Sequence, residues 1–239
     1  SKIEVEIKTD GSPVTQADLK ASEIISKYLG QTSIPIIGEE RSKEEFSVRS
    51  EWKENWCVDP LDGTKMFIEK NGEFAVNIAH IKNGEAVFGL IASPVKEKII
   101  LALKGEGVYT FNFSQFNDSS AWHKISEKTT MNSPVVIACS RSYSKINNPS
   151  ILEIESKYGK VNFLKMGSAL KFFELAEGNA DFYIRLDPTM EWDIAPGQAI
   201  IEELGGEIIG LTNGEPLQYN KESLFNPAFI VKTKATLEV

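Results

Sequence analysis

Cysteine is scarce in this chain of 239 residues: Cys57 and Cys139 are its only two, both in apolar, strand-like contexts. That excludes a disulfide framework and points to buried small hydrophobes in a reducing compartment. A thiolate phosphatase is also excluded, because Cys139-Ser140-Arg141 leaves no loop of several residues between thiol and arginine. Histidine is as rare, with His80 and His123 alone, and both read as structural. No apolar run approaches the roughly 18 residues of a membrane-spanning helix, and no signal peptide is visible. The expectation is a cytoplasmic protein, with peripheral attachment at the inner membrane left open. Positive charge is short: 26 basic residues stand against 34 acidic ones, a net charge of −8 with no strongly basic segment. Binding to a nucleic-acid polymer is thereby excluded, since it requires a positive face that displaces counterions. An acidic protein can still take a small anion where cations mediate the contact. Neither an internal repeat nor a low-complexity segment is present.

What remains is an ordinary soluble composition, 41% hydrophobic and 25% charged, in a chain long enough for one large domain or two small ones. Ile3 to Ile7 alternates like a strand. Asp18 to Leu29 carries Leu19, Ile24, Ile25, Tyr28 and Leu29 at helical spacing and closes at Gly30. Ile34 to Ile37 reads as a short buried strand, and the charged 41–53 stretch as a solvated loop or short helix. Phe74–Ile81 and Ala86–Ile91 flank Asn83-Gly84, a strong hairpin signal. Turns at Pro94 and at Gly105-Glu106-Gly107 continue an antiparallel meander through Ile99–Leu103 and Val108–Phe111. Residues 112–132 are polar and read as a crossing between two parts, 1–120 and 121–239. The second part alternates: strand 135–138, helix 148–158, strand 161–165, helix 168–177, strand 181–185, helix 194–204 and strand 228–231. The fold class is therefore α/β, with an α+β first half.

Carboxylates gather where elements begin or end. Glu39-Glu40 follows a strand, and Asp193 opens a helix in Glu191-Trp192-Asp193-Ile194-Ala195. Taken alone, Asp193 is as well explained as a helix cap, and Glu39-Glu40 as a solvated turn. Val58-Asp59-Pro60-Leu61-Asp62-Gly63-Thr64 is harder to explain that way. Proline ends a strand and holds the preceding residue extended, so Asp59 is delivered at a strand terminus with Asp62 close behind. Two carboxylates and the Leu61 carbonyl suit a hard divalent cation, which demands oxygen ligands. Gly63-Thr64 then opens a helix whose first N–H groups suit a phosphate. The spacing thus reads as metals on one side and phosphate on the other, which is one route to metal-assisted phosphate chemistry.

Together, Gly38-Glu39-Glu40, Asp59-Pro60-Leu61-Asp62-Gly63-Thr64, Trp192-Asp193-Ile194-Ala195 and Glu202-Glu203-Leu204-Gly205-Gly206 resemble the inositol monophosphatase superfamily. Ser12–Asp18, Asn71–Ile78, Ser140-Arg141-Ser142 and Gly167–Phe172 are similar, within it, to bacterial 3′(2′),5′-bisphosphate nucleotidases. The resemblance implies a layered αβαβα sandwich of the inositol monophosphatase/fructose-1,6-bisphosphatase type. It also implies a lithium-sensitive, Mg²⁺-dependent phosphomonoesterase with two or three Mg²⁺ per site. The substrate would be a small phosphorylated nucleotide, in sulfur metabolism and nucleotide recycling, and the enzyme a monomer or homodimer. By the same resemblance Glu39, Asp59, the Leu61 carbonyl, Asp62 and Asp193 hold the metals. Asp18 and Thr64 activate the attacking water, with Glu40 as a supporting carboxylate. Gly63 and Thr64 hold the reacting phosphate, and Ser168, Lys171 and Arg185 meet the second phosphate and ribose. Readings kept beside this are an inositol- or sugar-phosphate phosphatase on the same scaffold and a non-catalytic metal-binding homologue. A surface pairing of Lys171 and Arg185 with Glu174 and Asp187 is a further alternative. Tyr143 departs from the histidine common in relatives. Pro196 replaces a second alanine after Trp192-Asp193, and is expected to be tolerated in a first helical turn. The chain opens at Ser1 rather than methionine, and relatives carry a helix ahead of Ser12–Asp18, so an earlier natural start is expected.

Overall fold

A computed structural model describes residues 3–8, 11–141 and 148–238. Among these the strands of the first part are β1 (Val5–Ile7), β2 (Pro13–Thr15), β3 (Ile36–Gly38), β4 (Glu54–Asp62), β5 (Ala75–Lys82), β6 (Glu85–Ser93), β7 (Lys98–Leu103), β8 (Gly107–Asn112) and β9 (His123–Ile125). Those of the second are β10 (Val135–Cys139), β11 (Val161–Lys165), β12 (Phe182–Arg185), β13 (Thr189–Met190), β14 (Glu207–Gly210), β15 (Phe225–Asn226) and β16 (Phe229–Lys232). The helices are α1 (Gln16–Leu29), α2 (Phe46–Arg49), α3 (Thr64–Ile68), α4 (Pro149–Tyr158), α5 (Lys171–Ala176), α6 (Glu191–Glu203) and α7 (Lys234–Leu237).

Two sheets organise the molecule. β3 to β9 lie side by side in chain order, antiparallel except for the parallel pair β3–β4. The second sheet runs β11-β10-β12-β16-β14, with β10 parallel to both β11 and β12. The Asn83-Gly84 turn has φ of 52° and 81°, the paired positive values that a tight hairpin between β5 and β6 requires. Helices α5 and α6 fill the space between the sheets, and Phe172, Ile194, Ile200 and Ile201 join Ala79, Ile91, Ile100 and Phe229 in one core. On the far side of the second sheet, Ile151 and Ile154 of α4 form a separate cluster with Ile137, Phe182 and Ile230. On the far side of the first, the Trp56 indole donates to Thr32 just beyond α1 while facing the rings of His80 and Phe88. The layers are thus α, β, α, β, α, the sandwich expected from the resemblance.

The central layer is tightly seated. A Cβ on Gly89 of β6 would lie 2.2 Å from the carbonyl oxygen of Pro196, and one on Gly197 2.3 Å from the Phe172 ring. Glycine at both positions lets α6 approach the first sheet and α5 at backbone distance.

Element boundaries shift from the sequence expectation for local reasons. α1 starts at Gln16, because Thr15 caps it and the Asp18 carboxylate reaches back to the Thr15 N–H. α5 starts only at Lys171, since Ser168 takes a left-handed φ of 50°. α6 starts at Glu191 rather than Ile194, which moves Pro196 out of the first turn and into the helix interior. The missing Pro196 N–H removes one rung of the ladder to Trp192. The helix nonetheless continues to Glu203, sandwiched between the two sheets. The change of sheet lies between Ile125 and Val135.

Candidate active site

The parallel pair β3–β4 places the first carboxylates together. Gly38 is level with Val58, and the Glu39 N–H donates to the Val58 carbonyl at 3.1 Å, so Glu39 emerges beside Asp59. β4 pairs with β5 up to Asp59 opposite Asn77, loses register over Pro60-Leu61, and resumes with Asp62 opposite Ala75. That bulge turns the chain so that the Asp59 carboxylate accepts the Leu61 N–H at 2.9 Å. Asp62 accepts the Ala169 N–H and, at 3.3 Å, the Asn77 side-chain amide. Asp193 arrives from α6, where its carboxylate caps the helix by accepting the Met190 N–H at 2.8 Å. The cap reading of this residue and its place in the cluster hold together. Carboxylate oxygens of Asp59, Asp62 and Asp193 lie within 4.8 Å of one another.

Burial raises all three acids above the ordinary carboxylate range, Asp59 and Asp193 the most. Mutual repulsion adds to it: Glu39, Asp62 and Asp193 push Asp59 up, and Asp62 and Glu39 push Asp193 up. Three desolvated carboxylates facing one point are unfavourable unless a cation is shared among them. All their free donor atoms are oxygens, the set a hard divalent ion takes. The residues therefore fit such an ion.

Beside the cluster the Thr64 hydroxyl donates to the Asp18 carboxylate at 3.1 Å. Asp18 is 1% exposed, and its other oxygen accepts both the N–H and the hydroxyl of Thr15. Gly63 turns the chain into α3 with φ of 94°; a Cβ there would come 2.9 Å from the Glu73 carbonyl oxygen. Lys8, at the end of β1, reaches Glu39 at 2.8 Å and also pairs with Glu40. Desolvation raises Glu40, and the Lys8 ammonium opposes the shift.

The sequence-selected residues of the second part converge on the same place, because β10, β11 and β12 are parallel and end on one side. Ser168, Lys171 and Arg185 line a cavity of about 140 Å³ with Asp62, Asp193 and Tyr183. Lys171 is buried at its floor, donating to the carbonyls of Ser168 (2.6 Å) and Met166 (3.3 Å), with its ammonium 4.9 Å over the Tyr183 ring. Burial lowers its pKa to about 8, against the attraction of Asp62. Of the alternative surface pairings, Arg185 does approach Asp187, at 3.7 Å, while Glu174 pairs with Lys96. Ser140, Gly167 and Ser168 also border a second, open cleft of about 650 Å³ that includes Pro13, Glu39, Gly63, Thr64, Met66 and Arg141. Ser142 and Tyr143 lie outside the described residues.

Sequence reasoning assigned no role to Asn77, Lys8 or Glu73. Asn77 stands opposite Asp59 across a ladder, a relation visible only once register is known. Lys8 and Glu73 reach their partners across 31 and 68 or more residues of chain.

Comparison with known proteins places these residues in company. Residues 1–237 match the model of the inositol monophosphatase family. The chain is 35% identical over 232 residues to the 3′(2′),5′-bisphosphate nucleotidase CysQ of Shigella flexneri, covering 96% of this chain and 89% of that protein. It is 38% identical over 230 residues to the protein of the same name from Buchnera aphidicola, covering 92% and 79%. Among solved structures, CysQ from Bacteroides thetaiotaomicron superposes with a TM-score of 0.82 at 39% identity, over 95% of this chain and 87% of that one. An IMPase/NADP phosphatase complexed with Mg²⁺ and phosphate gives 0.77 at 19% identity, over 99% and 84%, a likeness of fold alone.

Proposed function

Since the chain belongs to the inositol monophosphatase family, we propose that it is a Mg²⁺-dependent phosphatase that removes the 3′(2′)-phosphate from a small 3′(2′),5′-bisphosphate nucleotide. The observation that carries the substrate class is the cavity in which Arg185 and Lys171 stand beside Asp62 and Asp193. A metal cluster accounts for one phosphate, and cations next to it account for a second. The names of the relatives at 35–39% identity support the same reading. A role in sulfur metabolism and nucleotide recycling follows from that substrate.

Glu39, Asp59, the Leu61 carbonyl, Asp62 and Asp193 would hold two or three Mg²⁺. When bound, the ion supplies Lewis acidity to the phosphoryl oxygens and lowers the pKa of a water. The Thr64 hydroxyl has two acceptors in reach, Asp18 at 3.1 Å and the Leu61 carbonyl at 3.3 Å. With that carbonyl given to a metal, the hydroxyl proton goes to Asp18, and the hydroxyl oxygen is left to accept from the attacking water. The proton then has a path through Thr64 to the Asp18 carboxylate, which is already oriented by Thr15. Glu40 supports this group from beside Glu39. The Gly63 and Thr64 amides border the cleft and receive the reacting phosphate; Ser168 separates it from the Arg185 side. In-line positioning and charge neutralisation carry the rate. Lithium, entering the same oxygen set, should inhibit.

Arg185→Ala tests the reading. The expected outcome is a 10- to 100-fold lower kcat/KM on 3′-phosphoadenosine 5′-phosphate, about 1.5–3 kcal/mol, with little change on a monophosphate that lacks the second group. Equal losses on both substrates would place Arg185 in a structural role and remove the support for a bisphosphate.

A further inference from the structure

Glu73 belongs to no part of the acid cluster, yet three features of the site meet on it. One carboxylate oxygen accepts the Gly167 N–H at 2.8 Å, and the carboxylate receives Arg141 through both Nε and a terminal guanidinium nitrogen. Its main-chain carbonyl backs the Gly63 turn, where a Cβ would lie 2.9 Å away, and the same position would be 3.3 Å from the Ser168 Cβ. The Asn71 side chain fixes the Glu73 backbone by accepting its N–H at 2.9 Å.

The loop that Glu73 holds is the wall between the two cavities. Ser140, Gly167 and Ser168 border both. The loop carries a left-handed Ser168 and is tied at intervals: Met166 N–H to the Cys139 carbonyl, Gly167 to Glu73, Ala169 to Asp62, and the Ser168 carbonyl to Lys171. Of these ties only the Gly167 one runs to a carboxylate, on the loop ahead of β5, that is not itself in the metal cluster. Its other partner, Arg141, has a half-exposed side chain on the rim of the open cleft. A bidentate guanidinium–carboxylate pair fixes direction as well as distance.

We propose that Glu73 is a positioning residue that sets substrate discrimination. Its carboxylate locks the Gly167–Ala169 wall and Arg141 in one register with the Gly63 phosphate turn. The nucleotide beyond the reacting phosphate therefore meets a preformed wall. This rests on the bisphosphate-nucleotide reading for the identity of the substrate, and on geometry alone for the positioning. A phosphomonoester such as p-nitrophenyl phosphate would use the Gly63 turn through its one phosphate and has no second phosphate to seat beyond the wall, so it is the reference substrate.

The test uses the full chain with Mg²⁺ and the variants Glu73→Gln, Glu73→Ala and Arg141→Gln. Glu73→Gln keeps an oxygen for the Gly167 amide while losing the charge on Arg141; Glu73→Ala loses both. The ratio of kcat/KM for 3′-phosphoadenosine 5′-phosphate to that for p-nitrophenyl phosphate should fall about 100-fold in Glu73→Ala, mostly through KM. It should fall about 10-fold in Glu73→Gln, and the Glu73→Gln/Arg141→Gln double variant should fall no further than either single one. Amide hydrogen exchange, which needs no substrate, should speed at least 10-fold over 167–169 in Glu73→Ala and stay near the parent rate in Glu73→Gln. An unchanged ratio together with unchanged exchange overturns the proposal, as does a purely global rise in exchange, which marks a residue that only stabilises the fold. A parent protein inert on the bisphosphate would overturn the substrate reading instead, and exchange over 167–169 would still decide the positioning.

Discussion

Asp59 is 2% exposed and faces Asp62, Asp193 and Glu39, with no compensating cation of its own among the described residues, so its charge is costly without a bound ion. Asp59→Asn should lower kcat by about a thousandfold or more, the several kcal/mol of charge stabilisation that an ion there provides. The same substitution should stabilise the metal-free protein. A carboxyl whose folded pKa lies above its unfolded value contributes stability that is full at low pH and lost as pH rises through the folded value. The advantage of Asn should thus be clear at pH 8 in chelator and shrink by pH 5, read as the difference in Tm. Lys171 carries the opposite sign. Burial holds its pKa near 8, below the ordinary 10.5, so stability should rise between those values as the buried charge is lost. Over the same span its attraction for a second phosphate fades, and KM for the bisphosphate should climb roughly tenfold per pH unit above 8. Lys171→Met should flatten both profiles, as seen by thermal denaturation and by initial rates between pH 7 and 10. At this scale the sequence was most legible where a local motif carried the chemistry. Asp59-Pro60-Leu61-Asp62-Gly63-Thr64 announces oxygen ligands and a turn within a single stretch. Lys171 reads from sequence as a contact to the second phosphate, with a surface pairing as the alternative; its burial against the Tyr183 ring depends on helix α5 being trapped between two sheets.

The hairpin β1–β2 and the central helix α6 are the elements on which the site most depends. Lys8 of the hairpin pairs with Glu39 and Glu40, so a metal ion taken up by Glu39 must displace an ammonium. Lys8→Gln should therefore tighten Mg²⁺ binding about two- to fivefold, the range of a partly exposed ion pair, in a calorimetric titration. Weaker binding in that variant would mean that Lys8 assists the metal rather than competes with it. α6 presents Asp193 from its first turn and depends on glycine for its seat. Gly197→Ala would push a methyl into the Phe172 ring, and Gly89→Ala would meet the rigid Pro196 carbonyl. Each should cost about 1–3 kcal/mol of stability or more, measured by urea unfolding, with activity falling as Asp193 shifts. Most elements could be read from periodicity: the Asn83-Gly84 hairpin, the β-meander and the alternating second half stand within a few residues of expectation. The start of α6 could not. Trp192 and Asp193 belong to a helix whose first turn is defined by a cap reaching back to Met190, and a proline in the interior argues locally against it.

Across the whole molecule, two sheets deliver their strand ends to one side, and the acids of the first face the cations of the second. That convergence explains why no single segment of the sequence reveals the cavity that holds Lys171 and Arg185, although Asp62, Ser168, Lys171 and Asp193 each sit in a recognisable motif. It also couples metal binding to stability. Mg²⁺ at a hundredfold excess over its Kd should add about 2.7 kcal/mol, a rise in Tm of roughly 6–10 °C for a chain of this size. A flat melting curve through a magnesium titration would contradict a preformed site. The most direct measurement is phosphate release from 3′-phosphoadenosine 5′-phosphate, inositol 1-phosphate and fructose 1,6-bisphosphate, each with Mg²⁺ and with excess chelator. The expected result is the highest kcat/KM on 3′-phosphoadenosine 5′-phosphate, and none on any substrate once the metal is removed. A preference for inositol 1-phosphate, or turnover that survives chelation, would contradict the account.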